Sequence, residues 1–210
     1  MQATSKTGTR TPRGQGDLLR ERLIETALAL LDGGQEPANI SIRGVAKAAG
    51  VSPTAFYLHF DSRGQFMRTL VERGFADLRQ HIGRAAARSA DPEVSLLDAG
   101  IAYMAFAREQ PERYRLIFSI DWDEHEIKKG PDDGMEVADA AFDDLVLLIE
   151  RYFESIDRQP GNTDNIALGM WAGLHGYATL CHAEPGVATL TDEKFASLLA
   201  GAWLKMPPEA

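Results

Sequence analysis

Residues 41–60 read SIRGVAKAAGVSPTAFYLHF, with Ala46, Ala48, Ala49 and Gly50 set close together before a Ser-Pro pair and a Tyr-x-His-Phe ending. Ser41 is placed to cap a short helix to Ala49, because its hydroxyl can accept from the unsatisfied N–H groups of a first turn. Ser52 caps another, with Pro53 at the first helical position, where the missing N–H costs nothing. Between them Gly50-Val51-Ser52 makes the turn of a helix-turn-helix, whose steep crossing needs a residue tolerant of positive φ. Small side chains at Ala46 and Ala49 let the second helix approach closely, while Val45, Val51 and Phe56 fill the space beneath it. Phe60 anchors the exit. Tyr57 and His59 sit on a helix too short to bury both, and a phenol and an imidazole at its rim are placed to donate to phosphate oxygens. Arg63 and the first N–H groups of the following helix add charge and dipole to the same grip.

Outward from this stretch the periodicity is helical throughout, with no alternating strand and no internal repeat. Leu19, Leu23, Ala27 and Leu30, with Ile24, Leu28 and Leu31, form the apolar side of a helix from about Asp17, its N-cap, to Asp32, where Gly33-Gly34 ends it. After Phe60, Asp61 or Ser62 caps a long helix that runs to about Arg88. DPEV, residues 91–94, reads as a stop and restart before a helix from Leu96 to Glu109. Pro111 starts a short helix to about Ser119, and residues 121–134 read as an exposed acidic loop. Helices over Val137–Ile156, Ile166–His182 and Asp192–Leu204 complete nine, three in the first sixty residues and six after. The fold class expected is all-α.

The net charge of −9 is unevenly placed: residues 1–90 hold 13 Lys and Arg against 8 Asp and Glu, and the remainder 9 against 23. A mildly basic end on an acidic body fits a partner for polyanions at one end only. The single cysteine, Cys181, allows no intramolecular disulfide, and residues 1–16 lack the apolar run of a secretory signal, so a cytoplasmic protein is expected. No stretch approaches the roughly 18 apolar residues of a membrane span. No cofactor or metal is expected: the acidic run at Asp121, Asp123, Glu124, His125 and Glu126 reads as a solvated loop, and zinc spacing is missing. An enzyme is disfavoured by the lack of a glycine-rich phosphate loop, a G-x-S-x-G turn or a Cys/His motif pair.

The run from Ser41 through Phe66 resembles the DNA-binding region of the TetR family of bacterial transcription regulators. The residues carrying the likeness are Ser41, Val45-Ala46, Ala49 to Ser52, Tyr57, His59-Phe60 and Arg63; Arg63 replaces the usual Lys, and Phe66 a common Leu. WAGLHG, residues 171–176, is similar to a Trp-x-x-x-His-Gly signature in the C-terminal domain of one subgroup. The resemblance implies three N-terminal helices for DNA binding, residues 17–62, and six C-terminal helices for ligand binding and dimerisation, residues 63–210, after a disordered basic arm of residues 1–16. It implies that Pro53 to His59 enter the major groove with Arg43 reaching in beside them. Arg43 is the candidate for a bidentate contact to guanine. Pro53, Ala55 and Leu58 can touch only apolar base edges and Thr54 offers one hydroxyl. Specificity is therefore expected to rest on Arg43, Thr54 and DNA shape, with Lys47, Tyr57, His59 and Arg63 positioning the protein on phosphate and Ser41 and Ser52 also counted among the DNA-binding residues. Lys6, Arg10 and Arg13 of the arm either follow the DNA or are solvated slack.

One such unit reads few base pairs, so a homodimer on paired half-sites about 34 Å apart is expected. Gly169, Ala172, Gly173 and Gly176 form a small-residue side that costs an isolated helix about 1 kcal/mol per glycine, and a closely approaching helix would offset it. With Leu198, Leu199, Ala202 and Trp203 they would make a four-helix dimer interface as in the family; the alternative is tight packing within the subunit. The resemblance also implies an effector cavity in the C-terminal helices, with Tyr103, Phe106, Phe118, Trp122, Phe142, Met170, Trp171, Leu174 and His175 as lining candidates, each of which is otherwise core. His175 is either a hydrogen-bonded core histidine or the anchor for a polar group of the effector. The function implied is a repressor that binds a palindromic double-stranded operator and is released by a small, largely apolar effector. The alternative is a ligand-independent architectural DNA binder.

Overall fold

The computed structural model describes residues 15–118, 136–184, 186 and 189–205. Among these residues are nine α-helices, one 3-10 turn at Pro37–Asn39, and no strand. The helices are α1 (Gln15–Asp32), α2 (Ile42–Ala48), α3 (Pro53–Phe56), α4 (Arg63–Ala86), α5 (Pro92–Glu109), α6 (Pro111–Phe118), α7 (Glu136–Ser155), α8 (Thr163–Ala183) and α9 (Asp192–Trp203). No described helix is long and apolar enough to cross a membrane. The arm through residue 14, the acidic loop at 121–134 and Trp122 lie outside the described residues.

The caps follow from local chemistry. Ser41 Oγ accepts from the Gly44 N–H, Ser52 Oγ from that of Ala55 and Ser62 Oγ from that of Gln65, each at 3.1 Å. Gly50 adopts φ +70°, and its own N–H bonds back to the Lys47 carbonyl while that of Val51 reaches the Ala46 carbonyl, a closure that needs the left-handed residue between them. Two expectations at helix starts are corrected. Asp17 is not the N-cap of α1, which begins two residues earlier; it sits in the first turn, where its charge complements the helix dipole. Residues 91–94 are the start of α5 rather than a break before it, because Asp91 Oδ1 accepts from the Glu93 and Val94 N–H groups at 2.9 and 3.2 Å and Pro92 occupies the first position.

Phe56, Phe60 and Phe66 pack ring against ring, with centroids 4.7 to 5.2 Å apart, over the buried Leu23, Ile24, Ala27, Leu28 and Leu31 of α1. Each fully buried ring contributes roughly 2–3 kcal/mol. α4 belongs to two neighbourhoods. Its first half, Phe66 to Leu70, lies beneath the helix-turn-helix, and its second half packs on α5, α6 and α7. α5 runs among α4, α6, α7, α8 and α9, which explains why it is apolar nearly all round. A smaller core of Leu96, Ile149, Phe153, Ile166, Met170 and Leu204 joins α5, α7, α8 and the end of α9.

Candidate nucleic-acid interface and interior cavity

The helix-turn-helix presents an open face. Ser41, Arg43 and Lys47 on the α2 side and Ser52, Pro53, Thr54, Tyr57 and Leu58 around α3 are exposed, with Tyr57 at 55% and Leu58 at 77%. Ala55, His59 and Arg63 are half-buried. The second helix is shorter than expected: α3 ends at Phe56, and the chain continues to Phe60 in tight turns through Leu58 N–H to Ala55 O (3.3 Å) and His59 N–H to Phe56 O (2.9 Å). Phe60 buries beside Phe56, so the chain must bend inward rather than continue a helix outward. Arg63 also does more than face solvent, since its Nε donates to the Ile40 carbonyl at 3.2 Å and ties α4 to the segment before α2.

A cavity of about 710 Å³ opens between α4, α5, α7, α8 and the end of α6. Tyr103, Phe118, Phe142, Met170, Trp171 and Leu174 all line it. Phe106 does not. One turn further along α5, it is buried facing α4, with its ring 5.9 Å from that of His81. Residues singled out by no motif complete the wall: Leu78, Ile82 and Ala86 of α4 and Leu145 and Leu148 of α7. Helical spacing alone could have flagged them only as core.

His175 stands behind this wall rather than in it. Its Nδ1 lies 2.7 Å from Tyr114 Oη and 3.2 Å from Tyr103 Oη, and the two phenols are 3.1 Å apart. Burial lowers the His175 pKa and raises those of both tyrosines, Tyr103 further by its neighbour Tyr114. The cluster is therefore uncharged near neutrality. Of the two readings, the hydrogen-bonded core histidine is the one the geometry gives; the phenol on the cavity wall is that of Tyr103.

Tyr114 sits on α6 next to Arg113, whose Nε and Nη2 bind the Asp32 carboxylate at 2.6 and 2.7 Å while Nη1 binds Asp77 at 2.7 Å. These ion pairs bridge α6 to the end of α1 and the middle of α4 along a polar cleft of about 620 Å³. Burial raises the Asp77 pKa, against the opposing pull of Arg113 and Arg73. At the same junction Gly74 of α4 faces Ile117 of α6 so closely that a Cβ would come within 2.7 Å of its Cγ2.

The close approach expected of the α8 glycines is made inside the subunit. A Cβ on Gly169 would strike Trp203 at 2.2 Å and one on Gly173 would strike Leu199 at 2.6 Å, so α9 occupies the room these glycines leave. Gly176 meets nothing within 4 Å. Ala172, Ala202 and Leu198 remain on the open side of the α8–α9 pair, Leu198 at 62% exposure and Leu168 beside them at 51%.

Two family models match this arrangement in chain order. Residues 23–70 match that of bacterial regulatory proteins of the tetR family, and residues 96–201 match a tetracyclin repressor-like C-terminal domain. The chain belongs to the TetR family. Its members are DNA-binding transcription factors rather than enzymes, with an N-terminal helix-turn-helix and a helical C-terminal domain that binds small molecules, and they are typically dimers. The chain is similar to a protein of unknown function from Rhodococcus sp. RHA1, at 26% identity over 94% of this chain and 99% of that one, with a TM-score of 0.75. It shares its fold with a TetR family transcription regulator from Marinobacter aquaeolei VT8 (18% identity, 91% and 96% covered, TM-score 0.62). The same holds for the TetR family transcriptional regulator PfmR from Thermus thermophilus (16% identity, 89% and 99% covered, TM-score 0.62).

Proposed function

We propose that this TetR family regulator is a repressor that binds a palindromic operator as a homodimer and is released when a small, largely apolar effector enters the 710 Å³ cavity. The observation that carries this reading is the double membership of α4. One half of it supports the exposed helix-turn-helix through Phe66 and Leu70, and the other half lines the cavity with Phe75, Leu78 and Ile82. A ligand that binds one placement of α4 better than another shifts the population of reading heads. Residues 17–62 serve as the head and 63–210 as the effector and dimerisation body. Arg43 reads guanine, Thr54, Pro53 and Ala55 meet base edges, and Ser41, Lys47, Ser52, Tyr57, His59 and Arg63 position the head on phosphate. The exposed Leu168, Ala172, Leu198 and Ala202 favour pairing of two copies through α8 and α9, with Gly176 on the same face. The architectural alternative lacks a reason for so large an apolar interior.

Selection of operator sequences from random duplex, followed by fluorescence anisotropy, tests the reading. A palindromic consensus is expected, with Arg43→Ala losing about 1–3 kcal/mol on the selected site and little on random duplex. Equal binding to all sequences by the wild-type protein refutes it.

A further inference from the structure

The cavity wall carries polar side chains at its rim and deeper in, where the indole of Trp171 accompanies Tyr103. At the rim, Arg79 is held by Asp144 through Nε at 2.5 Å and Nη2 at 3.1 Å, and the exposed Asp139 and Arg151 lie on the same rim. Ser95 is spent on the Ala86 carbonyl at 2.8 Å. Deeper in, Tyr103, only 5% exposed, is the titratable side chain on the wall. Its hydroxyl has three neighbours: the Tyr114 hydroxyl, His175 Nδ1 and the side chain of Trp171. Tyr114 Oη and His175 Nδ1 make the short pair at 2.7 Å, whereas the contacts of Tyr103 Oη with these two groups, 3.1 and 3.2 Å, are long for a hydroxyl. A phenol O–H rotates about its C–O bond, so this proton can turn from these long contacts to a guest.

The same cluster sets the charge the guest can carry. Burial keeps both phenols protonated and the imidazole neutral, so the inner end supplies neither a cation nor an anion. A charged group placed there would be desolvated without a counter-charge. Resting on the effector reading above, we propose that the cavity takes an uncharged, mostly apolar molecule bearing one hydrogen-bond-accepting oxygen, which receives the Tyr103 O–H. The partner chemistry is a ketone, ester, ether or alcohol oxygen on a hydrocarbon body. A carboxylate is selected against.

Calorimetric titration of the full chain with three probes of one skeleton tests this: naphthalene, 2-acetylnaphthalene and 2-naphthoate. The ketone is expected to bind about five- to tenfold more tightly than naphthalene, as one hydrogen bond allows, and the carboxylate more weakly than the ketone. Tyr103→Phe should bring the ketone within about twofold of naphthalene and leave naphthalene itself unchanged, a selective loss that a merely structural role for Tyr103 would not produce. Equal binding of all three probes, or tightest binding of the carboxylate, overturns the assignment of ligand class and leaves the apolar cavity standing. Binding by none of them overturns the effector reading together with it. If Tyr103→Phe does not fold, the wild-type ranking of the three probes decides alone.

Discussion

Gly74→Ala at the contact of α4 with α6 sets two effects of opposite sign against each other. Alanine is favoured over glycine in a helix interior by about 1 kcal/mol. Against this, the new methyl would lie 2.7 Å from Ile117 Cγ2 and 3.8 Å from Leu116 Cδ2, and the Ile117 methyl is fixed to a β-branched carbon on a buried side chain. Overpacking of that kind costs about 1–3 kcal/mol. The steric cost wins, and the net is a loss of about 1 kcal/mol, or roughly 2–4 °C in Tm for a chain of this size. Gly83→Ala, in the same helix with nothing within 4 Å, is the matched control and should gain about the same amount. Ile117→Leu moves the branch away from Cβ and removes the offending methyl, so the double variant Gly74→Ala/Ile117→Leu should recover stability, with a coupling of about 1 kcal/mol in the cycle. Melting followed by circular dichroism at one fixed protein concentration reads all four. If Gly74→Ala stabilises as Gly83→Ala does, or if the two substitutions at the contact simply add, the close fit of α6 on α4 is not as described.

Three further outcomes are expected. Leu198→Glu puts a charge on the open α8–α9 face and should shift sedimentation from dimer to monomer; a fully dimeric variant at micromolar concentration refutes the proposed face. The native His175 pKa is lowered by burial, so below the ordinary histidine value of about 6.5 the unfolded chain binds more protons than the native one. Stability should be full above that pH and decline as pH falls below it, with His175→Asn giving a shallower decline in urea melts at pH 7.5 and 5.5. Asp91→Ala removes the acceptor for two N–H groups at the start of α5 and should cost about 1 kcal/mol in the same melts.

What was legible in the sequence was what short-range chemistry controls. Ser41 and Ser52 cap because a hydroxyl and a nearby N–H suffice, the choice between Asp61 and Ser62 fell to Ser62 only in the structure, and Gly50 closes α2 because few other residues accept its backbone angles. Rotation about a buried helix axis was not legible. Tyr103 and Phe106 lie one turn apart on α5, a helix surrounded on most sides, where apolar spacing cannot separate the cavity wall from the core. Nor does a glycine declare which helix approaches it: Gly169 and Gly173 demand a close neighbour, and Trp203 and Leu199 of the same chain supply it as well as another copy would. Arg113 carried no signal, because its partners Asp32 and Asp77 are far away in the chain and meet it only once α1, α4 and α6 are in place. Tyr114 was likewise silent until the fold set its hydroxyl beside His175.

Arg113 and Tyr114 are consecutive, yet one grips Asp32 of α1 and the other the phenol–imidazole group behind the cavity. They share an 8-residue helix, a rod about 12 Å long. A rod with barely two turns has no middle in which to bend, so it tilts or slides as one piece. Any nudge to the tyrosine is thus delivered to the arginine's hold on α1 without dilution over distance.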